Sequence, residues 1–191
     1  LGRRTQLEDL HSVSDTTFGT WDFSYDVINL TSQTDPNGTT TSYTYDNFNR
    51  VLTEDNSATT GIEVTYNYDF CTYGTGQLCS VTTPDVTTNY TYLKQGLVDT
   101  ESKVIDAVTY TTNTDYDWQG TITKVTHPNA SYTEYEYNRR GLVDDVKYTG
   151  TSLVTADYGV HGRPTAINHA NGVDSTLTYD ASKLYELSNK T

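Results

Sequence analysis

The sequence has no methionine, only two cysteines, four prolines and four phenylalanines, and no apolar run approaching a membrane span. Each shortage excludes something. A bilayer-crossing helix needs roughly 18 consecutive apolar residues, so helical membrane insertion is not expected. The start, Leu1-Gly2-Arg3-Arg4, is followed by no signal-peptide apolar stretch. The lack of any methionine suggests a processed chain or an excised segment. Basic residues are also scarce, with 12 Lys and Arg against 25 Asp and Glu, for a formal charge of −13. A surface this acidic repels phosphate backbones and anionic lipid, so neither nucleic acid nor a membrane is an expected partner. The acidity is spread along the chain, where it keeps a Thr- and Tyr-rich β surface soluble.

What is abundant is tyrosine, 17 of 191 residues. Rings with a polar tip suit sheets that have one wet face. The tyrosines are also periodic. Phe23-Ser24-Tyr25-Asp26, Tyr43-Thr44-Tyr45-Asp46, Tyr66-Asn67-Tyr68-Asp69, Tyr90-Thr91-Tyr92-Leu93, Thr114-Asp115-Tyr116-Asp117, Tyr135-Glu136-Tyr137-Asn138, Ala156-Asp157-Tyr158-Gly159 and Leu177-Thr178-Tyr179-Asp180 share one register. Their fourth positions, 26, 46, 69, 93, 117, 138, 159 and 180, are spaced by 20 to 24 residues, and Tyr holds the third position in all eight copies. An aromatic residue two places earlier, in five copies, puts both rings on one face of a strand.

Three residues past each anchor stands Asn29, Asn49, Gly96, Gly120, Gly141 or Gly162, with Lys183 the exception and an insertion after Asp69. Asn and Gly tolerate positive φ, so the chain reverses there and returns along apolar-polar strands such as Val51-Leu52-Thr53 and Leu142-Val143-Asp144. Second turn signals, among them Asp35-Pro36-Asn37-Gly38 and Ala170-Asn171-Gly172, end those strands. Each copy therefore predicts one antiparallel β-hairpin. No stretch has a helical period. Repeats this short bury little alone and must stack, which predicts an all-β fold: one array over 1–191, with incomplete repeats at both ends, forming a continuous curved or spiralling sheet.

With that register the chain resembles the YD-repeat (RHS-repeat) family, on the strength of Tyr-Thr-Tyr-Asp-Asn-Phe-Asn-Arg-Val-Leu-Thr at 43–53 and Tyr-Gly-Val-His-Gly-Arg-Pro-Thr-Ala-Ile at 158–167. The resemblance implies a secreted or cell-surface scaffold, in which hairpin arrays spiral into shells around a toxic polypeptide or serve adhesion. The self-cleaving Asp segment that ends the family's enclosing members has no match here. The insertion Cys71-Thr72-Tyr73-Gly74-Thr75-Gly76-Gln77-Leu78-Cys79 also resembles a recurrent variant of that family. Pairing Cys71 with Cys79 is the expectation, contributing roughly 2–3 kcal/mol by chain entropy and implying an oxidising compartment; two free thiols or a partial metal site are the alternatives.

Enzymatic motifs are missing: there is no G-x-S-x-G, H-E-x-x-H, phosphate-binding loop or dinucleotide fingerprint. No catalytic residue, cofactor or metal is expected. His11, His127, His161 and His169 read as solvated turn residues. Asp115 with Asp117, Asp144 with Asp145, and the Asp35 turn offer carboxylates for calcium but match no known loop pattern, and a hydrolytic carboxylate pair has no support in spacing. The anchor pairs Tyr25/Asp26, Tyr45/Asp46, Tyr68/Asp69, Tyr116/Asp117 and Tyr179/Asp180, with Tyr92, Tyr137 and Tyr158, read as structural. The Asp accepts backbone amides two residues on, and the Tyr packs on the sheet and turns its hydroxyl outward. Trp21 and Trp118 are candidate platforms for stacking glycans, and Asn29, Asn37, Asn89, Asn129 and Asn189 lie in N-glycosylation triplets. The function expected is a non-enzymatic extracellular structural protein that joins copies of itself head to tail into a fibre through open sheet ends. The alternatives are a wall segment of a longer repeat shell and a carbohydrate-binding module.

Overall fold

A computed structural model describes residues 2–8 and 19–191. The candidate His11 lies outside them. The chain divides into two compact units, Leu1–Tyr110 and Thr111–Thr191, and passes from one to the other inside a strand. In the first unit the strands are β1 (Gln6–Glu8), β2 (Thr20–Tyr25), β3 (Leu30–Thr34), β4 (Thr40–Tyr45), β5 (Val51–Asn56), β6 (Ile62–Tyr68), β7 (Leu78–Thr82), β8 (Val86–Tyr92) and β9 (Val98–Ile105). Each pairs antiparallel with the next. The connecting strand is β10 (Val108–Tyr116). The second unit continues the same meander with β11 (Ile122–Thr126), β12 (Tyr132–Tyr137), β13 (Val143–Tyr148), β14 (Thr151–Tyr158), β15 (Pro164–His169), β16 (Ser175–Asp180) and β17 (Glu186–Lys190). A single 3₁₀ turn, Ala181–Lys183, is the one helical element among the described residues.

The all-β, antiparallel hairpin architecture predicted from the repeat is therefore the observed one. Every Tyr-Asp copy supplies an outgoing strand that ends at its Tyr or one residue past it, then a returning strand. β1 is the returning strand of the copy that begins the described chain. The period-2 reading also holds on outgoing strands: in β4 Tyr43 and Tyr45 are half-covered while Ser42 and Thr44 are exposed. The wet face carries hydroxyl rungs between strands, Thr44 to Thr53 at 2.5 Å and Thr91 to Thr100 at 2.6 Å.

Returning strands depart from simple alternation. In all eight hairpins the register shifts between the residue before the third-position Tyr and that Tyr itself. Thus Thr44 pairs with Thr53 but Tyr45 with Val51, leaving Leu52 as an extra residue. Such a bulge bends its strand and sharpens the local twist.

Burial is thin. Among the described residues only Cys79, Ser80 and Tyr92 are fully buried. A domain with so little core draws its stability from ladder hydrogen bonds, cross-strand pairs and copy-to-copy contacts, rather than from a packed interior.

Candidate functional site at the repeat seam

The turns after the anchor are built on one frame. In the second copy the amide of Asp46 donates to the Arg50 carbonyl and that of Asn49 to the Asp46 carbonyl. Asp46 Oδ1 accepts the amides of Phe48 and Arg50 at 2.8 and 2.9 Å, and Arg50 Nε donates to Asp46 Oδ2 at 2.7 Å. Asp117 repeats the two amide contacts through Gln119 and Thr121, and Asn138 through Arg140 and Leu142. Asn49 and Gly120 close these turns at φ 60° and 84°. Asn29 is not among the left-handed residues: its hairpin is one residue shorter, with Tyr25 paired to Leu30. Where Lys183 departs from the pattern, the 3₁₀ turn and left-handed Leu184 and Tyr185 make the reversal.

These contacts hold the carboxylates ionised. Hydrogen bonds from the Asn29 and Ile28 amides lower the pKa of Asp26. Partial burial raises that of Asp46, but the Arg50 amide and guanidinium outweigh it and the net shift is downward. For Asp69 the Arg50 guanidinium is the main cause of a lowered value, and for Asp180 the Ser182 hydroxyl and amide are.

The third-position tyrosines do not turn their hydroxyls outward. Each reaches back to a backbone carbonyl of the preceding copy: Tyr25 to Arg4 at 3.0 Å, Tyr45 to Leu30 at 2.7 Å, Tyr68 to Val51 at 2.9 Å and Tyr92 to Leu78 at 2.6 Å. In the second unit Tyr137 reaches Ile122 at 2.7 Å, Tyr158 reaches Val143 at 2.6 Å and Tyr179 reaches Pro164 at 2.8 Å. From Leu30 onward the acceptor is the residue that the previous copy's Tyr faces across its own bulge, as Leu30 faces Tyr25 and Val51 faces Tyr45. The ladder between copies has already stopped, at Ser32 and Ser42 in the β3–β4 pair, so the hydroxyl supplies the next link across an opening fork. Sequence reasoning missed this. Its signal was the invariance of Tyr, never Phe, at the third position, against Phe, Thr, Ala or Leu tolerated at the first.

Arginines add a second link. Arg50 forks onto Asp69 of the next copy through Nη1 at 3.1 Å and Nη2 at 2.5 Å, with its guanidinium 4.2 Å from the Tyr68 ring centroid. Arg3 donates to the Val27 carbonyl at 2.8 Å, and Arg140 to the Gly159 carbonyl at 3.0 Å.

Cys71 and Cys79 form a disulfide, with Cα atoms 5.4 Å apart. It closes the inserted turn. The Thr72 carbonyl in that turn accepts the Tyr92 amide at 3.1 Å, so the loop folds over the neighbouring copy. A Cβ on Gly74 would stand 2.3 Å from Cys71 Sγ and 2.6 Å from Cys79 Sγ, so only glycine fits.

The remaining candidates scatter. Trp21 is half-buried in β2, whereas Trp118 stands 90% exposed at a turn tip, as do Val27, Phe48 and Val160 in other copies. Asn29, Asn37 and Asn129 lie in turns, but Asn89 sits inside β8 between two partners and Asn189 in β17. His127 Nε2 lies 3.1 Å from Thr133 Oγ1, His169 ends β15, and His161 stacks on Tyr185 with centroids 4.0 Å apart. Asp145 is taken up by Ser152 and Lys147, and Asp35 by the amides of Asn37 and Thr39. Among the described residues no three His, Cys, Asp or Glu side chains converge as metal ligands, and no helix is long and apolar enough to cross a membrane.

This geometry has known counterparts. The RHS Repeat family model matches residues 29–60, the second hairpin and its approach. No curated relative matches the sequence. Similar solved structures include a crystal structure of TcdB2-TccC3-TEV, with TM-score 0.76 at 15% identity over 93% of this chain and 10% of that one. A crystal structure of TcdB2-TccC3 is similar at TM-score 0.76 and 16% identity, over 88% of this chain and 10% of that one. The Tc holotoxin pore of Photorhabdus luminescens is similar at TM-score 0.73 and 15% identity, over 90% and 10%. The chain thus spans about a tenth of the solved chains it matches. By its Tyr-Asp hairpins, its matched repeat and its fold, the chain is an RHS-repeat protein.

Proposed function

We propose that the chain is a non-enzymatic wall segment of a longer RHS-repeat shell, a single array over 1–191 working outside the cell. The carrying observation is the seam. Every copy is tied to the one before it by a Tyr hydroxyl on a backbone carbonyl, and arginine forks reinforce this at intervals. Such links add a hairpin at a time, with no interior to complete, and suit a wall whose length is set by repeat number. The likeness to chains of the Tc toxins supports a shell over a fibre. Exposed apolar residues at the turn tips, among them Phe48 and Trp118, would be covered by other parts of the longer protein. A disulfide supports an oxidising location.

Electron microscopy of the native, untagged parent protein tests this. Hollow particles that protect an enclosed polypeptide from added protease are expected. Regular filaments with one chain per subunit would replace the shell with the head-to-tail fibre, and turnover of a polysaccharide that disappears with one carboxylate would end the non-enzymatic reading.

A further inference from the structure

One copy lacks the anchor carboxylate yet keeps everything that binds it. At Gly159 the turn frame is the standard one: the Gly159 amide donates to the Arg163 carbonyl at 2.9 Å and the Gly162 amide to the Gly159 carbonyl at 3.0 Å. In the second copy the equivalent frame holds the Asp46 carboxylate by the amides at the second and fourth positions on, and by Arg50 Nε. The equivalents here are the amides of His161 and Arg163 and the Arg163 guanidinium. With Gly in place of Asp, no side chain fills the acceptor position, and Arg163 forms no ion pair among the described residues. Its guanidinium lies 5.4 Å from the Tyr179 ring centroid and contacts the Leu184 carbonyl.

The vacated position opens into a cleft of about 360 Å³ walled by Val160, His161, Leu177, Tyr179 and Tyr185. Its surface is mostly apolar, with His161 and Tyr185 stacked at one side. Clefts of this size, with apolar ring walls and a few convergent polar groups, are where small ligands bind.

We propose that this cleft is a receptor for a carboxylate-bearing sugar, a uronic-acid residue. Its carboxylate takes the place that the anchor Asp holds in other copies: one oxygen on the His161 and Arg163 amides, the other on the Arg163 guanidinium. Charge-assisted bonds of this kind are the strong ones, and the guanidinium fork matches a carboxylate. The ring's C–H face lies against Tyr179 and the His161–Tyr185 stack, as aromatic faces favour. This site differs from the tryptophan platforms expected from the sequence, and it stands whether or not the chain belongs to a shell.

The test is calorimetric titration of the whole chain with a galacturonate disaccharide, the matching neutral disaccharide, and an acidic peptide with a free C-terminal carboxylate. Galacturonate is expected to bind at least tenfold more tightly than either. Gly159→Asp supplies the missing carboxylate in the way four other anchors followed by a turn do; the new Cβ would lie 3.3 Å from Thr165 Cγ2, a contact the threonine can relieve. It should preserve circular dichroism and the Tyr158 seam while weakening galacturonate at least tenfold. Arg163→Gln is the second variant and should weaken it similarly. Equal binding by the neutral sugar, undiminished binding by both variants, tighter binding by the peptide, or no galacturonate binding would each overturn the assignment.

Discussion

Replacing Tyr92 by Phe removes one hydroxyl and nothing else, and the seam assigns that hydroxyl a specific cost. Tyr92 is 7% exposed and its hydroxyl donates to the Leu78 carbonyl at 2.6 Å. Without it the carbonyl is left under the disulfide-closed loop with water excluded, and an unsatisfied buried acceptor costs about 1–3 kcal/mol. Tyr45→Phe deletes the equivalent bond to Leu30 at 2.7 Å, but Tyr45 is only half-buried and water can replace the hydroxyl. That loss belongs near the low end of a net hydrogen bond, about 0.5–1 kcal/mol. In an array stabilised by nearest-neighbour terms these losses fall on one seam, so global unfolding is the wrong probe. Native-state hydrogen exchange is the right one. Peptides covering 86–92 should exchange about tenfold faster or more in Tyr92→Phe, and those covering 40–45 about threefold faster in Tyr45→Phe, since 1.4 kcal/mol is a factor of ten. Unchanged exchange in Tyr92→Phe, or equal effects at the two seams, would refute the argument that these hydroxyls close the forks.

Arg50→Lys should weaken the seam to Asp69 by about 0.5–1 kcal/mol in local exchange, because lysine keeps the charge but loses the fork and the stacking on Tyr68. Reducing the Cys71–Cys79 disulfide should destabilise the inserted turn by about 2–3 kcal/mol and deprotect the Tyr92 amide, read by exchange with and without reductant; an unaltered Tyr92 amide would show that Thr72 does not hold it. Gly74→Ala should prevent disulfide formation, seen as two alkylatable thiols by mass spectrometry. In alkali, burial and then the hydrogen bond to Glu54 push the Tyr66 phenol up to about 12 from an ordinary 10.0. The folded state therefore keeps a proton that the unfolded chain gives up, and this stability is complete below pH 10 and lost as pH rises toward 12. Near-ultraviolet titration of wild type against Tyr66→Phe should show one phenol ionising late; its absence would refute the shift.

The hairpins were legible because a 20- to 24-residue period, strand alternation and turn residues all report local conformation. The bulge was not. Leu52 looks like one more apolar residue in Val51-Leu52-Thr53, and only the partner strand reveals that it has no opposite number. The seam was half legible: Tyr without exception at the third position announced a job for the hydroxyl, but its acceptor lies 14 to 21 residues back, on a strand whose register depends on that bulge. Arg50 carried no local signal for Asp69, 19 residues on, because the insertion after Asp69 hides the regular turn. At Gly159 the sequence showed a departure from Tyr-Asp, but what the departure vacates is visible only beside the intact frame at Asp46.

These features have one origin. A hairpin of some twenty residues cannot enclose a core, so its apolar side stays half-covered until a neighbour arrives. Stacking alone would leave register loose, since Thr- and Tyr-rich strands offer similar side chains at every second position and a slip of two residues costs little. The bulge and the hydroxyl remove that freedom together. The bulge bends the outgoing strand at its Tyr, and the hydroxyl meets the one carbonyl that the previous bulge has set beyond the end of the inter-copy ladder. A slipped neighbour would forfeit that bond and, at Arg50, the fork to Asp69 as well. Correct register is thus rewarded at each seam independently of the rest, which lets a wall be lengthened without redesign and leaves single anchor positions, such as Gly159, free to give up their carboxylate for another use.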